Sequence, residues 1–306
     1  MNSSLVSLGR VIIVLSIIWL ISACGEIEQV ATPTVTPIDS PVPTITQTSI
    51  PPTATEIPMV AMVNGVGIRL EEYEAELNRY LSAQGNEPSI DQSDAAMFVL
   101  EDLITQVLFV QAAEKNGFVV DEEILQARMD DLIAASGGEL SFGDWLLENG
   151  YTQQSFKETL RRSIMGAWMR DKILAEVPRS AEQVYVLQIL LYNLDQANQI
   201  LAELESGKDF ATLAASYEPV NRGELGWFPR DFLPHQAIEE AAFNLAVGEY
   251  SPVIETSVGY HIIQVVEKDP DHLLSPEARL VWQENALRDW VAVQRDQSNI
   301  VILSLQ

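Results

Sequence analysis

Through the first half of the chain, apolar positions recur at the three- and four-residue spacing of amphipathic helices. A shorter pattern precedes them, because Val60–Ile68 is apolar around Asn64 and Gly65, a dipeptide typical of tight turns between paired strands. Asp121 can cap one of the later helices, since its carboxylate can accept the free N–H groups of a first turn. The pattern predicts a hairpin followed by helices over 71–83, 93–116, from 122, 141–149 and 152–177.

From about residue 180 the pattern changes to short apolar runs between helices. Val184–Tyr192 is apolar nearly throughout, as strands buried on both faces are. Helices are expected over 196–206, after Asp209 and over 236–245, and a closing hairpin is expected to pair 250–255 with 260–266. Helices packed on a small antiparallel sheet make an α+β domain. The last residues predict one more helix, over 275–297, and a short apolar strand from Ile300.

The first residues have the layout of a secretory signal. Val11–Ile21 follows Arg10 and is too short for a membrane-spanning helix, which needs about 20 apolar residues. Ile21 to Cys24 resembles the bacterial lipobox, whose cysteine is diacylated and becomes the mature N-terminus. An uncleaved anchor with an incidental thiol is the alternative. Because Cys24 is the only cysteine, a lipidated Cys24 would leave no thiol for a disulfide.

A segment rich in threonine and proline, residues 25–58, separates this signal from the predicted hairpin. Proline fixes φ and removes a backbone donor, so a helix or a central strand is not expected here. The segment is predicted to be an extended, semi-rigid spacer. A glycosylated stalk is also compatible with the threonine content.

Composition excludes more than it suggests. The chain has 306 residues, 47% of them hydrophobic, and a net charge of −26, which argues against a nucleic-acid partner because such a partner requires a basic face. Three histidines lie far apart, and there is no phosphate loop and no nucleophile elbow. Any chemistry must therefore be sought in longer sequence patterns.

Four consecutive blocks provide such a pattern: Gly223–Pro229, Glu239–Leu245, Gly248–Thr256 and Gly259–Lys268. Their order and spacing closely resemble the second half of a parvulin-type (PpiC, rotamase) peptidyl-prolyl cis–trans isomerase domain. The resemblance implies an α+β domain over 179–269 that accelerates rotation about X–Pro bonds, which otherwise takes tens to hundreds of seconds. The transition state is less charge-separated than the planar amide. A pocket that removes water from the bond therefore suffices, without nucleophile, metal or cofactor.

The resemblance also implies the site residues. A proline-binding cup, meaning an apolar pocket for the proline ring, would be formed by Leu225, Phe228, Leu233 (or Phe232) and Ile238. Thr256 and His261 match the polar wall of the family's site. For His261 alone, a core histidine with satisfied hydrogen bonds is the alternative.

Two departures from the family affect the expected rate. The family's first strand usually begins His-Ile-Leu, whereas this chain has Gln188 in place of the histidine. The loop from Tyr217 to Gly223 is short, so the Cys or Asp that faces the prolyl bond has no clear counterpart, and Glu218 is the nearest candidate. A rotation that needs no proton transfer should lose rate more than binding from these changes.

The predicted hairpin and helices resemble the N-terminal domain of SurA-like chaperones and of PrsA-like foldase lipoproteins. An ordinary helical domain is the alternative. The resemblance implies that the chain after the parvulin-like domain returns to the helical one, with Val60–Val63 as the partner of the last strand. The expected division is signal peptide 1–23, lipidated Cys24 and linker 24–58, chaperone domain 59–178, parvulin-like domain 179–269, and returning helix and strand 270–306.

Together these inferences predict an acidic foldase, lipid-anchored outside the cytoplasm of a bacterium. It would act as an isomerase and chaperone on unfolded or proline-containing secreted polypeptides, with the membrane as partner through Cys24 and without nucleic acid. One alternative is a chaperone that only binds, because its parvulin fold has weakened or lost catalysis. Another is a surface lipoprotein that captures a small ligand, which would need a deep polar pocket.

Overall fold

The computed structural model describes residues 57–84 and 91–303. The predicted signal peptide, Cys24 and nearly all of the linker lie outside the described residues. The described chain contains these elements: β1 Met59–Val63, β2 Val66–Arg69, α1 Leu70–Gln84, α2 Gln92–Lys115, α3 Glu122–Ala135, α4 Glu139–Glu148, α5 Gln153–Ala175, β3 Ser180–Leu191, α6 Leu194–Glu205, α7 Phe210–Tyr217, β4 Glu224–Pro229, α8 Gln236–Asn244, β5 Ile254–Thr256, β6 Gly259–Leu273, α9 Pro276–Asp296 and β7 Ile300–Ile302. Two antiparallel sheets among helices confirm the predicted α+β class.

The first sheet joins the two ends of the described chain, with strand order β2-β1-β7. Asn64 and Gly65 make the predicted turn between β1 and β2, and both have positive φ angles, 51° and 86°. β7 lies antiparallel to β1, with Val63 opposite Ile300. The Asn64 side chain also accepts a hydrogen bond from the Asn299 N–H, at 2.8 Å, so the turn itself is tied to the C-terminal segment.

The helices pack around α2, which lies against the first sheet, α1, α5 and α9. Their ends follow from local chemistry: Asp121 accepts a hydrogen bond from Ile124 N–H, and Thr152 forms a capping box with Ser155. By length and composition alone, α2 is apolar enough to cross a membrane, the one such helix in the described part of the chain. Here its buried residues form part of two core clusters of the helical module, which we define as β1–α5, α9 and β7.

The second sheet has the order β4-β3-β6-β5, so the apolar strand β3 is central, as its composition predicts. Alternation along β3 divides the domain into two cores. Val184 and Val186 face α8 in one of them, and Ile189 and Leu191 face α6 and α7 in the other. We call β3–β6, with α6, α7 and α8, the sheet domain.

Two strands differ from the sequence expectation. β4 lies within the Gly223–Pro229 block, for which no strand was predicted, and it pairs with β3 from Gln183 to Leu187. β6 continues to Leu273, beyond the expected boundary at 269, because its last residues pair with the beginning of β3. The strand that forms a hairpin with β6 was expected over 250–255, but β5 covers only Ile254–Thr256. Tyr250 makes an isolated bridge to Gln264 outside β5.

Candidate functional site

A cavity of about 210 Å³ opens on the sheet domain beside α8. It is lined by side chains from the strands, from the β5–β6 turn and from the segment leading into α8: Gln188, Leu190, Leu225, Leu233, Pro234, His235, Ile238, Val258 and His261. Most of these are apolar; the polar ones are Gln188 and His261 on the strands and His235 before α8. We call this cavity the cup.

Gln188 and His261 line one side of the cup, and Thr256, which is not among the lining residues, is hydrogen-bonded to His261. We call these three residues the strand wall. They stand on β3, β5 and β6, which are adjacent in the sheet. The register places His261 opposite Leu190 on one side and Ile254 on the other, so its side chain projects from the same face as theirs. The ladder of the sheet therefore fixes where the imidazole lies.

Both ring nitrogens of His261 are hydrogen-bonded within the strand wall. Nδ1 lies 3.0 Å from Gln188 Oε1, and Nε2 lies 2.8 Å from Thr256 Oγ1. With the Gln188 oxygen as acceptor, a neutral ring carries its proton on Nδ1 and accepts at Nε2 from the Thr256 hydroxyl. Gln188 thus supplies a partner for His261 at the position where the family has a second histidine.

The environment of His261 favours the neutral form of its ring. The residue is only 2% exposed, and burial lowers the pKa of its imidazole below the usual value. The neighbouring His235, whose ring centroid lies 6.2 Å away, lowers that pKa further by charge repulsion. A neutral ring with both nitrogens occupied is suited to forming a polar surface rather than to transferring a proton.

The opposite side, which we call the loop wall, consists of Leu233, Pro234 and His235, in the segment between β4 and α8. His235 was not predicted as a site residue. It is the N-cap position of α8 but makes no side-chain cap bond, so its ring is left to face the cup. The sequence did offer one signal for His235 as a site residue, because this histidine directly follows a proline at the start of a predicted helix.

Of the residues expected to form the cup, three line the cavity and Phe228 does not. Leu225, Leu233 and Ile238 line the cavity. Phe228 is fully buried and packs edge-on against Phe243, at 6.2 Å between ring centroids, so it belongs to the core and not to the cavity lining.

Of the two alternatives at the loop, Leu233 lines the cavity, whereas Phe232 packs on the core cluster. Glu218 ends α7 as its C-cap and is absent from the residues that line the cup. The expected carboxylate facing the prolyl bond is therefore not among the cup's side chains. The short loop explains this, because it turns directly from α7 into β4.

A close backbone approach holds Gln188 in place. The Gln188 N–H donates to Gly223 O at 2.7 Å, and Gly223 has a φ of 74°. A Cβ at Gly223 would lie 2.5 Å from Gln188 O and 2.8 Å from the Ala214 Cβ. Position 223 thus requires glycine for both its conformation and its contacts.

The cup can remove water from a bound group with its apolar side chains, and it offers that group a few polar side chains at its edge. Its volume is below the roughly 300–1,000 Å³ of typical small-molecule sites, so it suits one compact apolar group. Among residues 57–84 and 91–303, no group of three or more His, Cys, Asp and Glu side chains is placed to hold a metal ion.

A four-stranded antiparallel sheet with an apolar cup, and with the buried His261 hydrogen-bonded to Thr256, is the arrangement that the resemblance to parvulin-type domains implies. Residues 193–267 match the family model of the PPIC-type PPIase domain (rotamase), and residues 44–170 match that of the SurA-like N-terminal domain. The chain is therefore similar to parvulin-type peptidyl-prolyl isomerases over residues 193–267 and to SurA-like N-terminal domains over residues 44–170.

Relatives of this chain are named chaperones or foldases. The chain is 28% identical over 252 residues to the chaperone SurA of Albidiferax ferrireducens, which covers 69% of this chain and 54% of the relative. It is 29% identical over 230 residues to the foldase protein PrsA of Halalkalibacterium halodurans, covering 63% and 67%. A crystal structure of the peptidylprolyl isomerase PrsA from Bacillus cereus is 20% identical, with a TM-score of 0.42, and covers 79% of this chain and 87% of that one. The chain thus spans about half to two thirds of the length of these curated relatives.

Proposed function

We propose that this protein is a foldase that accelerates cis–trans isomerisation of X–Pro bonds in unfolded polypeptides. The observation that carries the proposal is the cup itself, an apolar cavity of about 210 Å³ bordered by the Gln188–His261–Thr256 network. The family match and the names of the relatives support it. The small volume and apolar lining of the cup disfavour the small-ligand alternative at this site, because that alternative would need a deep polar pocket.

The cup would act by desolvating the prolyl bond. Leu225, Leu233 and Ile238 would enclose the proline ring and remove water from the preceding carbonyl. Loss of that water raises the free energy of the planar, charge-separated amide more than that of the twisted state. The neutral His261, hydrogen-bonded at both ring nitrogens, would complete a preorganised polar border and need not exchange its proton.

The direct test is an isomerisation assay on the full chain, using proline peptides that vary in the residue before proline. We expect measurable but modest acceleration, with a preference for apolar or neutral residues, because no Lys or Arg side chain lines the cup. Absence of acceleration for every peptide would contradict the proposal.

A chaperone that binds without catalysis is the second candidate. It is favoured by the position of Glu218, which leaves the cup without a carboxylate, and by Gln188 in place of a histidine. This candidate predicts suppression of aggregation of an unfolded client by a protein that shows no isomerase activity. The foldase proposal predicts both activities.

For localisation, we propose secretion and a lipid anchor at Cys24, on the lipobox-like sequence and the linker behind it. The proposed organisation keeps the division into residues 1–23, 24–58, 59–178, 179–269 and 270–306. The clients would then be secreted or envelope polypeptides, reached by a folded body held away from the membrane.

The anchor is tested by Cys24→Ser. Replacing the acylated thiol should move the protein from the membrane fraction to the soluble fraction, because the linker is polar and acidic and offers no other membrane affinity. Fractionation of cells that express each form measures this. Continued membrane association with the signal segment attached would instead indicate an uncleaved anchor.

A further inference from the structure

The loop wall of the cup is held from two sides. It belongs to the segment Arg230–His235, which connects β4 to α8 and pairs with no strand, and in which Asp231 has a φ of 59°. Leu233 reaches the cup only if this segment keeps its course. The groups that bind its backbone therefore set the width of the cup.

From inside the sheet domain, the segment is held by Glu239 of α8. This side chain is buried, with 7% exposure, and its carboxylate accepts the backbone N–H groups of Asp231, Phe232 and Leu233 at 2.6, 3.0 and 3.1 Å. Hydrogen bonds to an ionised acceptor are about twice as strong as neutral ones. One carboxylate thus orients the three residues that lead to the tip of the loop wall.

From outside the sheet domain, the same segment is held by α9. Trp282 Nε1 donates to the carbonyl of Arg230 at 2.8 Å, and Asn285 Nδ2 donates to the carbonyl of Asp231 at 3.2 Å. α9 itself belongs to the helical module, where Trp290 stacks on Phe109 of α2 at 4.7 Å between ring centroids. The helical module is therefore hydrogen-bonded to the loop that carries Leu233.

This connection is sparse. A cavity of about 540 Å³ lies beside it, lined by the end of α5, by Asp231 and by α9 residues including Trp282 and Asn285. The two side chains thus reach the loop across a space that is not filled by packing. Removing one donor should release the loop without removing a packed interface.

We infer that Glu239, Trp282 and Asn285 are positioning residues for the cup, and that the helical module sets the geometry of the isomerase site through α9. The inference rests on the proposed isomerase function. It assigns the module that would hold unfolded clients a second task, which is to keep Leu233 opposite His261.

The first test is Trp282→Phe in the full chain. Phenylalanine keeps an aromatic ring on α9 but removes the donor to Arg230 O, so kcat/KM for a proline peptide should fall about threefold to tenfold. The backbone N–H groups of Phe232 and Leu233 should exchange with solvent several times faster. The ability to suppress aggregation of an unfolded client should not change.

Trp290→Phe is the matched control, because it makes the same substitution on the same helix. Trp290 stacks on Phe109 and makes no hydrogen bond to the loop. Phenylalanine keeps an aromatic ring in this stack and so keeps α9 on α2; the variant should therefore leave kcat/KM and loop exchange unchanged, with at most a lower unfolding temperature. A general loss of stability in α9 would affect both variants alike. The inference is overturned if Trp282→Phe leaves activity and exchange at wild-type values, or if both tryptophan variants change them equally.

Glu239→Gln tests the inner tie, with the exposed neighbour Glu240→Gln as control. Loss of the charge that binds three N–H groups should lower kcat/KM roughly tenfold to hundredfold, whereas Glu240→Gln should have no effect. If Glu239→Gln does not fold, Trp282→Phe still decides, since α9 lies outside the sheet domain.

The two proposals fail in different ways. If the wild type shows no isomerase activity, the proposed function fails, but affinity for a proline peptide and exchange at Phe232 and Leu233 still report the cup. An effect of Trp282→Phe on both would then support the positioning role in a binding site. No effect on either would overturn it.

Discussion

The two walls of the cup are built by different means. The strand wall places Gln188, Thr256 and His261 on adjacent strands, whose backbone ladder fixes each side chain within one domain. The loop wall places Leu233 on a segment without ladder bonds, which depends on side chains from α8 and α9. A site can therefore combine a locally determined wall with one that responds to a distant module.

The largest effect should come from breaking the strand wall at its backbone, with Gly223→Ala. The new Cβ would meet Gln188 O and Ala214 Cβ, and the positive φ adds strain, so we expect a loss of about 3 kcal/mol or more in unfolding free energy. Denaturant unfolding of the full chain measures the loss.

Gly207→Ala separates the two causes, because Gly207 has a φ of 94° but no atom within 4 Å of the place that a Cβ would occupy. It should cost only the conformational strain, about 1–2 kcal/mol. Equal losses for Gly207→Ala and Gly223→Ala would show that the contact with Gln188 is not close enough to matter.

The next largest effect is the loss of isomerase activity on truncating the apolar lining, at Leu225, compared with the loss on truncating the polar side, at His261. If desolvation is the main catalytic cause, Leu225→Ala should lower isomerase activity at least as much as His261→Ala, about tenfold, because it loosens the proline and admits water. Leu225 is half-buried, so its truncation also lowers stability, by up to the roughly 2–5 kcal/mol of a fully buried leucine. The folded fraction of each variant must therefore be measured by circular dichroism before the rates are compared.

Leu201→Ala is the control for stability, since this half-buried leucine packs on the opposite face of the same sheet. It should cost a similar unfolding free energy and leave the rate per folded molecule unchanged. Loss of activity in His261→Ala alone, with Leu225→Ala fully active, would contradict the desolvation account and require an electrostatic role for the histidine.

The sequence predicted the strand wall better than the loop wall, for a physical reason. Period-two alternation placed His261 on the face of Ile263 and Val265, which is where the structure has it. No periodicity applies to an irregular segment, so the choice between Phe232 and Leu233 stayed open. The bonds of Glu239 to that segment follow from a helix folding back on the preceding loop, which local pattern does not encode.

Chain order explains the other differences. β4 was missed because Gly223–Pro229 is short, contains two glycines and ends in proline, all unusual for a strand. The contact of Trp282 with Arg230 joins an inserted domain to a helix that follows it, and such contacts depend on the packing of two modules. The return of β7 to β1 was expected only through the resemblance to SurA-like proteins.

The smallest effect concerns protonation of the strand wall. Burial, and then repulsion from His235, lower the pKa of His261 below its usual 6.5 in the folded protein. The unfolded chain, with an ordinary histidine, therefore takes up this proton first as the pH falls. The free energy of unfolding should decrease as the pH falls through about 6.5, until the folded pKa is passed. His261→Gln should show a shallower decrease between about pH 7.5 and pH 5.5 in denaturant titrations.

An NMR titration of the His261 ring, with and without His235→Gln, separates the two causes of its lowered pKa. His235→Gln removes the repelling charge from the loop wall, so the pKa of His261 should rise. The pKa should still stay below 6.5, because the burial of His261 in the sheet is the larger cause of the shift. A pKa that returns fully to 6.5 would show that the loop wall, not the sheet, controls the charge of this histidine. In that case the loop wall would determine the charge of His261, although the strands would still determine its position.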